Sequence, residues 1–364
     1  MGKAMVQADL YAELQMLCRR SFPERLEQRI SQVRTAGEGR HPMVSFSLAW
    51  REGHRPRVER LLLRRYADDW TWWSVADVQK AARAWEVGGW LYGQGLPLPA
   101  LYASGTADQA PYLLMARAGG RSYEIERPAD REAYVEAIAA FLARLHRLTP
   151  PDAVRRVLPE ARARDEIARL WSLASAWGDE GLAEVLAGLA SKEIAPGTVT
   201  GGEAIAEEAA TGELVAGEAL AGGGQAAGEE IAGTEMEAFP PCVLHGDLQV
   251  GRVRADARGL TAVLDWENAA LGDPRWDLAR VANELYEHEA HDLAEQLYRR
   301  YEEQSGLPLR GMGFWEALSA AQQWTLLAWL KENGSTVNDG TLDAARGSTW
   351  RAWTRIRYER GDAN

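Results

Sequence analysis

The chain has only two cysteines in 364 residues, Cys18 and Cys242, too few for a disulfide framework. No run approaches the ~18 apolar residues that a membrane span needs. The Met1-Gly2-Lys3 start carries no apolar h-region and no Arg-rich amphipathic helix, so no targeting peptide is visible. Val6 stands where a myristoylation signal wants Ser or Thr. These absences set the expectation of a soluble, cytoplasmic protein with no membrane partner. Catalytic signatures are missing too. There is no G-x-x-x-x-G-K-(S/T) phosphate loop, no H-E-x-x-H and no G-x-S-x-G. Gly37-Glu38-Gly39 runs on to Pro42, where a dinucleotide fingerprint wants a third Gly. No internal repeat is present.

What is there suffices for two lobes and a sizeable core, with an ordinary 46% of hydrophobic residues. The net charge of −12 is unevenly spread. Between Glu193 and Ala238 lie ten Glu and no Lys, Arg or Asp, which leaves about −2 for the remainder. A near-neutral folded part gives no reason to expect a nucleic-acid partner. Residues 191–238 are dominated by Ala, Gly and Glu and lack aromatics, a composition that reads as a flexible acidic insertion.

Pro240 to Arg280 is the informative stretch. Val243-Leu244 leads into His245-Gly246-Asp247, and Leu260 to Leu264 leads into Asp265-Trp266-Glu267. Apolar β-formers that end in Gly or an acid read as buried strands opening into loops. Two acids at adjacent strand ends suit phosphoryl transfer, one as base toward a hydroxyl and one as Mg²⁺ ligand. The null alternative is a pair of turn-capping acids. Cys242, on the first strand, reads as packing.

The blocks His245-Gly246-Asp247-Leu248, Leu264-Asp265-Trp266-Glu267 and Gly272-Asp273-Pro274-Arg275-Trp276-Asp277-Leu278-Ala279 resemble the aminoglycoside phosphotransferase and choline kinase-like family of small-molecule kinases. The resemblance implies an α+β, two-lobed protein kinase-like fold, with a small sheet-based N-lobe and a larger, mainly helical C-lobe. It implies ATP or GTP with Mg²⁺ as cofactors, and a small-molecule hydroxyl as phosphate acceptor. Asp247 would be the base and Asp265 the metal ligand, with His245 bracing the loop at the catalytic centre. Asp273 and Asp277 would fix the following loop and cap a helix beginning near Arg275.

Domain boundaries follow at 1–34 for an N-terminal helical extension, 35–115 for the nucleotide-binding N-lobe and 116–364 for the C-lobe. In the extension, Leu10, Leu14, Leu17 and Cys18 share a helix side, Pro23 interrupts, and Glu24 to Val33 resume the helix. Val44 to Trp50 and Val58 to Tyr66 read as strands around a turn. Alternation separates Leu62 and Arg64 from Leu61, Leu63 and Arg65. The resemblance puts Arg64 where related kinases hold phosphate with Lys; a solvated strand-end Arg is the alternative. Trp70-Thr71-Trp72-Trp73 comes next, then a helix over Val75 to Tyr92. That helix should offer a Glu to the basic strand residue. The family position falls on Ala84, so Glu86 either substitutes or is an exposed helix acid. Pro111 to Arg117 reads as the strand crossing between lobes, whose backbone takes the adenine edge in this family, and this makes Met115 to Arg117 nucleotide-binding candidates. Tyr134 to Leu148 is helical, with His146 structural beside its apolar stripe, and four helices follow from Leu278 onward.

One position departs from the family. Five residues after the catalytic Asp the family has a metal-binding Asn, and here it is Arg252. A guanidinium has no acceptor for a metal. Three outcomes stand: Arg252 contacts phosphate beside a single Mg²⁺, it blocks the metal and leaves a pseudokinase-type nucleotide- or ligand-binding protein, or Asn268 or Gln249 supplies the missing ligand. A phosphohydrolase is set aside for want of a two-metal His/Asp cluster. Oligomeric state and acceptor identity are not encoded in these motifs.

Overall fold

A computed structural model of the chain describes residues 2–36, 43–66, 79–107, 110–193, 239–332, 334 and 337–359. Trp70 to Trp73, Gly37-Glu38-Gly39, the first residues of the helix expected over Val75 to Tyr92, and residues 194–238 of the expected acidic insertion lie outside the described residues. The chain divides into two compact units, one of residues 1–141, 148–159 and 245–270, the other of 142–147, 160–244 and 271–364. Among the described residues no helix is long and apolar enough to cross a membrane.

The first unit is built on alternation. Strands β1 (Leu26–Ala36), β2 (Met43–Glu52), β3 (Arg55–Arg65), β4 (Leu101–Ala107) and β5 (Ala110–Ala116) form an antiparallel sheet in the order β1-β2-β3-β5-β4. Val44, Phe46 and Leu48 alternate inward on β2, as Leu61 and Leu63 do on β3. Helix α1 (Gly2–Ser21) covers that face with Leu14, Leu17 and Cys18, and Phe22 just beyond it joins them. The N-terminal helix is therefore part of the sheet's core, not an appendage to it. Each of these side chains contributes roughly 1.5–3 kcal/mol by leaving water. Burial lifts the Cys18 thiol to about 12, so it stays a packing group.

The expected resumption of the helix over Glu24 to Val33 is corrected: that segment is β1. Two bulges interrupt its pairing with β2, between Leu26 and Arg29 and between Ser31 and Arg34, with Glu27 and Gln32 each at φ 54. A bulge inserts a residue and breaks the period of two. Ile30 and Val33, both packed on the core, end up three apart in sequence, which imitates a helical repeat.

The opposite face of the sheet carries Tyr66, Leu113 and Met115 against Ala81 and Ala84 of α2 (Lys80–Gly93). Helix α3 (Pro128–Leu145) passes from this unit into the second at Phe141. A short helix α4 (Asp152–Arg155) and the hairpin β8 (Val253–Asp256)–β9 (Gly259–Val263) complete the first unit.

The second unit is mainly helical. A three-stranded sheet of β6 (Glu160–Ala161), β10 (Ala270–Gly272) and β7 (Cys242–Leu244) sits among α5 (Ala163–Trp177), α6 (Glu180–Glu193), α7 (Arg275–Glu287), α8 (His291–Ser305), α9 (Met312–Glu332) and α10 (Asp339–Glu359). Asp273 accepts from the Arg275 backbone N–H at 2.9 Å and grips its guanidinium at 2.6 Å, the capping role expected of it. Asp277 is fully buried on α7, 3.4 Å from His146 Nε2, whose Nδ1 meets the Tyr301 hydroxyl at 2.8 Å. His146 is thus structural. Cys242 Sγ lies 3.5 Å from the Gly272 carbonyl, and burial raises its thiol beyond the ordinary range.

Candidate active site

The site lies within the first unit, where four sequence segments meet. Asp265 stands two residues past β9, and backbone bonds fix both residues before it. Val263 N–H donates to the Pro97 carbonyl at 2.7 Å, and Leu264 N–H to the Arg252 carbonyl at 2.8 Å. The Pro97 segment, stiffened by proline, therefore anchors the strand that presents the acid. Asp265 takes the left-handed conformation at φ 66, a strained geometry for a non-glycine that over-determined sites retain. Trp266, buried against His245 at 4.7 Å and Phe141 at 6.2 Å between ring centroids, pins the next residue.

His245 has no exposed surface. Its Nε2 donates to the Leu264 carbonyl at 2.8 Å, and its Nδ1 accepts from Asp247 N–H at 3.2 Å. That pair of bonds fixes one neutral tautomer. His245 therefore ties the two acid loops together, in line with the bracing place expected for it at the site. Gly246 is required between them: at φ +79, an added Cβ would stand 2.2 Å from the Asn268 carbonyl oxygen.

The charged groups form a lattice. Arg64, on the face of β3 opposite to Leu61 and Leu63, ion-pairs with Asp265 and Glu267. Arg252 ion-pairs with Asp265 and reaches Asp247 Oδ2 at 3.2 Å. Gln249 donates its amide to Asp247 Oδ1 at 3.1 Å. Burial pushes the Asp265 carboxyl up, but the Arg64 and Arg252 guanidinium groups outweigh it and hold the group below the usual carboxylate range. Burial likewise opposes the charge on both arginines, and the facing carboxylates win, so both are more firmly cationic than usual. The Nε of Arg64, the Nε of Arg252 and Oε2 of Glu267 are buried without hydrogen-bond partners.

Mg²⁺ does not fit this donor set. Asp265 offers the one carboxylate expected to bind it, and its two oxygens accept from Arg64 and Arg252. Among the described residues no group of three or more His, Cys, Asp or Glu could hold a metal ion. A guanidinium adds no acceptor and would repel the ion.

Other expected site residues fare unevenly. Glu86 does not pair with Arg64. It is exposed, because two helical positions beyond Ala84 turn it through about 200°. The partner of Arg64 that sequence reasoning missed is Glu267, two residues past Asp265 in the same block. Arg83 was missed as well. It is buried on α2 and donates to the carbonyls of Glu267 and Val157, which fastens the acid loop to the helix. Its signal was available: the one charge among Ala81, Ala84 and Val87 on an otherwise apolar face.

Met115 shares its sheet face with Arg64 and packs against Tyr66 and Leu113. Two of the backbone donors expected there are paired within the fold, however. Ala116 N–H donates to the Ala100 carbonyl and Arg117 N–H to the Arg60 carbonyl, both at 2.8 Å. Those amides are therefore not available to a base edge, and the Arg117 side chain is exposed.

A family model described as the phosphotransferase enzyme family matches residues 43–318. This chain belongs to that family. The match takes in the lattice and three quarters of the chain, from β2 into α9. Among solved structures, the phosphotransferase chain is similar to choline kinase LicA from Streptococcus pneumoniae, at 13% identity, TM-score 0.57 and coverage of 94% of this chain and 99% of that one. It is also similar to the GDP complex of a mutant aminoglycoside 2'-phosphotransferase-IIIa, at 12% identity, TM-score 0.54 and coverage of 96% and 98%. A thermostable mutant of aminoglycoside phosphotransferase APH(4)-Ia, in a ternary complex with ADP and hygromycin B, matches at 15% identity, TM-score 0.51 and coverage of 93% and 97%. These likenesses establish the α+β, protein kinase-like fold. No curated protein sequence matches the chain.

Proposed function

We propose that this phosphotransferase moves the terminal phosphate of ATP or GTP to a hydroxyl of a small molecule. The observation that carries the reading is the convergence of Arg64, Asp247, Arg252 and Asp265, drawn from positions up to 201 apart into one network. Phosphoryl transfer asks a protein chiefly for positioning and charge neutralisation. Asp247 would accept the acceptor's proton, and His245 and Gly246 hold it in place. Arg64 and Arg252 offset phosphate charge, and Asp265 keeps the two guanidinium groups together. The sheet face with Met115 would receive the nucleotide base. The complexes of similar structures with ADP and with GDP support a nucleotide here, and the hygromycin B in one of them supports a polar small-molecule acceptor.

The test is transfer of labelled terminal phosphate from ATP and GTP to pooled aminoglycosides, choline, sugars, homoserine and macrolides. Asp247→Ala should lower transfer by roughly 10²–10⁴-fold, the contribution of a positioned base, with nucleotide binding changed less than about threefold. Retained turnover within tenfold would remove Asp247 from the role. A second reading, a pseudokinase-type nucleotide-binding protein, is favoured by one observation: Arg252 pairs with the base as well as with Asp265. Nucleotide binding without transfer to any acceptor would support it.

A further inference from the structure

We infer that Arg64 and Arg252 together replace the divalent metal, so that a nucleoside triphosphate binds as its metal-free polyphosphate on a guanidinium pair. The inference deepens the phosphotransferase reading and rests on it for the identity of the ligand. It begins from the position of Arg252. One of its nitrogens meets Asp265, and another lies 3.2 Å from Asp247 Oδ2, so a single planar fork spans both acids. A cation already stands where a metal ligand was expected. Arg64 reaches the second oxygen of Asp265 from β3, and no carboxylate oxygen of that residue is left without a guanidinium.

A second observation points to the ligand. The Nε atoms of both arginines are buried and lack acceptors, and burying an unsatisfied donor is costly. Phosphate oxygens are strong acceptors, and guanidinium matches them with paired N–H bonds. A divalent cation brings the opposite chemistry. It would join two fixed positive charges and satisfy neither donor.

The experiment is calorimetric titration of the full chain with ATP and with inorganic triphosphate, in EDTA and in Mg²⁺ at matched ionic strength. The parent should bind both ligands in EDTA, with affinity equal to or above that in Mg²⁺. Arg252→Asn should weaken metal-free binding at least tenfold and make Mg²⁺ restore it. Arg252→Lys, which keeps the charge but not the fork, should fall between the two. Circular dichroism establishes that the variants are folded, and the parent's own response to Mg²⁺ decides the matter if one is not. A parent that binds at least tenfold better with Mg²⁺ would overturn the metal replacement and leave the phosphotransferase reading intact. Binding to neither ligand under either condition would overturn both. Metal-free binding without phosphate transfer would uphold the guanidinium site and sink the transfer alone.

Discussion

Asp265 in the first unit and Glu316 in the second are both acids withdrawn from water, and each faces arginine. The company they keep differs. Asp265 has two guanidinium partners, Arg64 and Arg252. Glu316, 1% exposed, has one, Arg355, together with the hydroxyl of Tyr298 at 2.6 Å and that of Tyr286 at 3.4 Å. Burial raises Glu316, and the partners pull it back only in part, so it ends above the usual carboxylate range. Asp265 ends below it. A surplus of fixed cations keeps one acid charged, whereas one guanidinium and two phenols offset burial only in part, and the other holds its proton more readily. Burial and the neighbouring Glu316 in turn keep the Tyr286 and Tyr298 phenols protonated, and so able to donate. The first arrangement suits charge chemistry, and the second joins α7, α8, α9 and α10.

The largest effect that could break this contrast is in the second unit. Glu316→Ala leaves two hydroxyls without their acceptor, and should cost about 1–3 kcal/mol of stability for each while nucleotide affinity changes less than threefold. Denaturant unfolding beside calorimetry reads both. A loss of nucleotide binding in a folded Glu316→Ala protein would erase the division of labour. In the first unit, Arg64→Met removes a charge-assisted phosphate contact worth roughly 1.5–3 kcal/mol, so ATP affinity should fall about 10–100-fold. An unchanged binding isotherm would show that Arg64 serves Asp265 and Glu267 alone.

The smallest effect is also the sharpest, because the two acids should respond to pH in opposite senses. Asp265 has a depressed folded value, so its stabilisation is complete above about pH 4 and lost as pH falls through that lower value. Glu316 has a raised folded value. Its stabilisation is complete below about pH 4 and lost as pH rises through the raised value. Melting curves from pH 3 to 8 should show the parent losing its advantage over Asp265→Asn at the acid end. Its advantage over Glu316→Gln should shrink toward neutrality instead. Parallel trends in the two variants would refute the contrast.

Local rules carried the sequence a long way. Strand alternation placed Arg64 on the face away from Leu61 and Leu63, and the three ordered blocks brought Asp247 and Asp265 together as expected. What escaped were features in which local spacing misleads or tertiary contacts decide. Bulges at Glu27 and Gln32 disguised β1 as a helix. Counting along α2 led to Glu86, whereas the partner of Arg64 is Glu267, some 180 residues further on and invisible to any periodicity. The amides of Ala116 and Arg117 were committed by pairing to Ala100 and Arg60 in turn, which no motif records. Arg252 stood out at once as a departure, but only the fold shows it spanning two acids.

Gly246 has a consequence for how the two acid loops are spaced. Its main chain lies against the Asn268 carbonyl so closely that a single methyl group has no room. The loops bearing Asp247 and Asp265 therefore meet through a contact that only glycine permits, and any side chain at position 246 would push them apart. The guanidinium of Arg252 works within that frame: it reaches both acids from the 3-10 turn that follows Gln249 and leaves the glycine contact undisturbed.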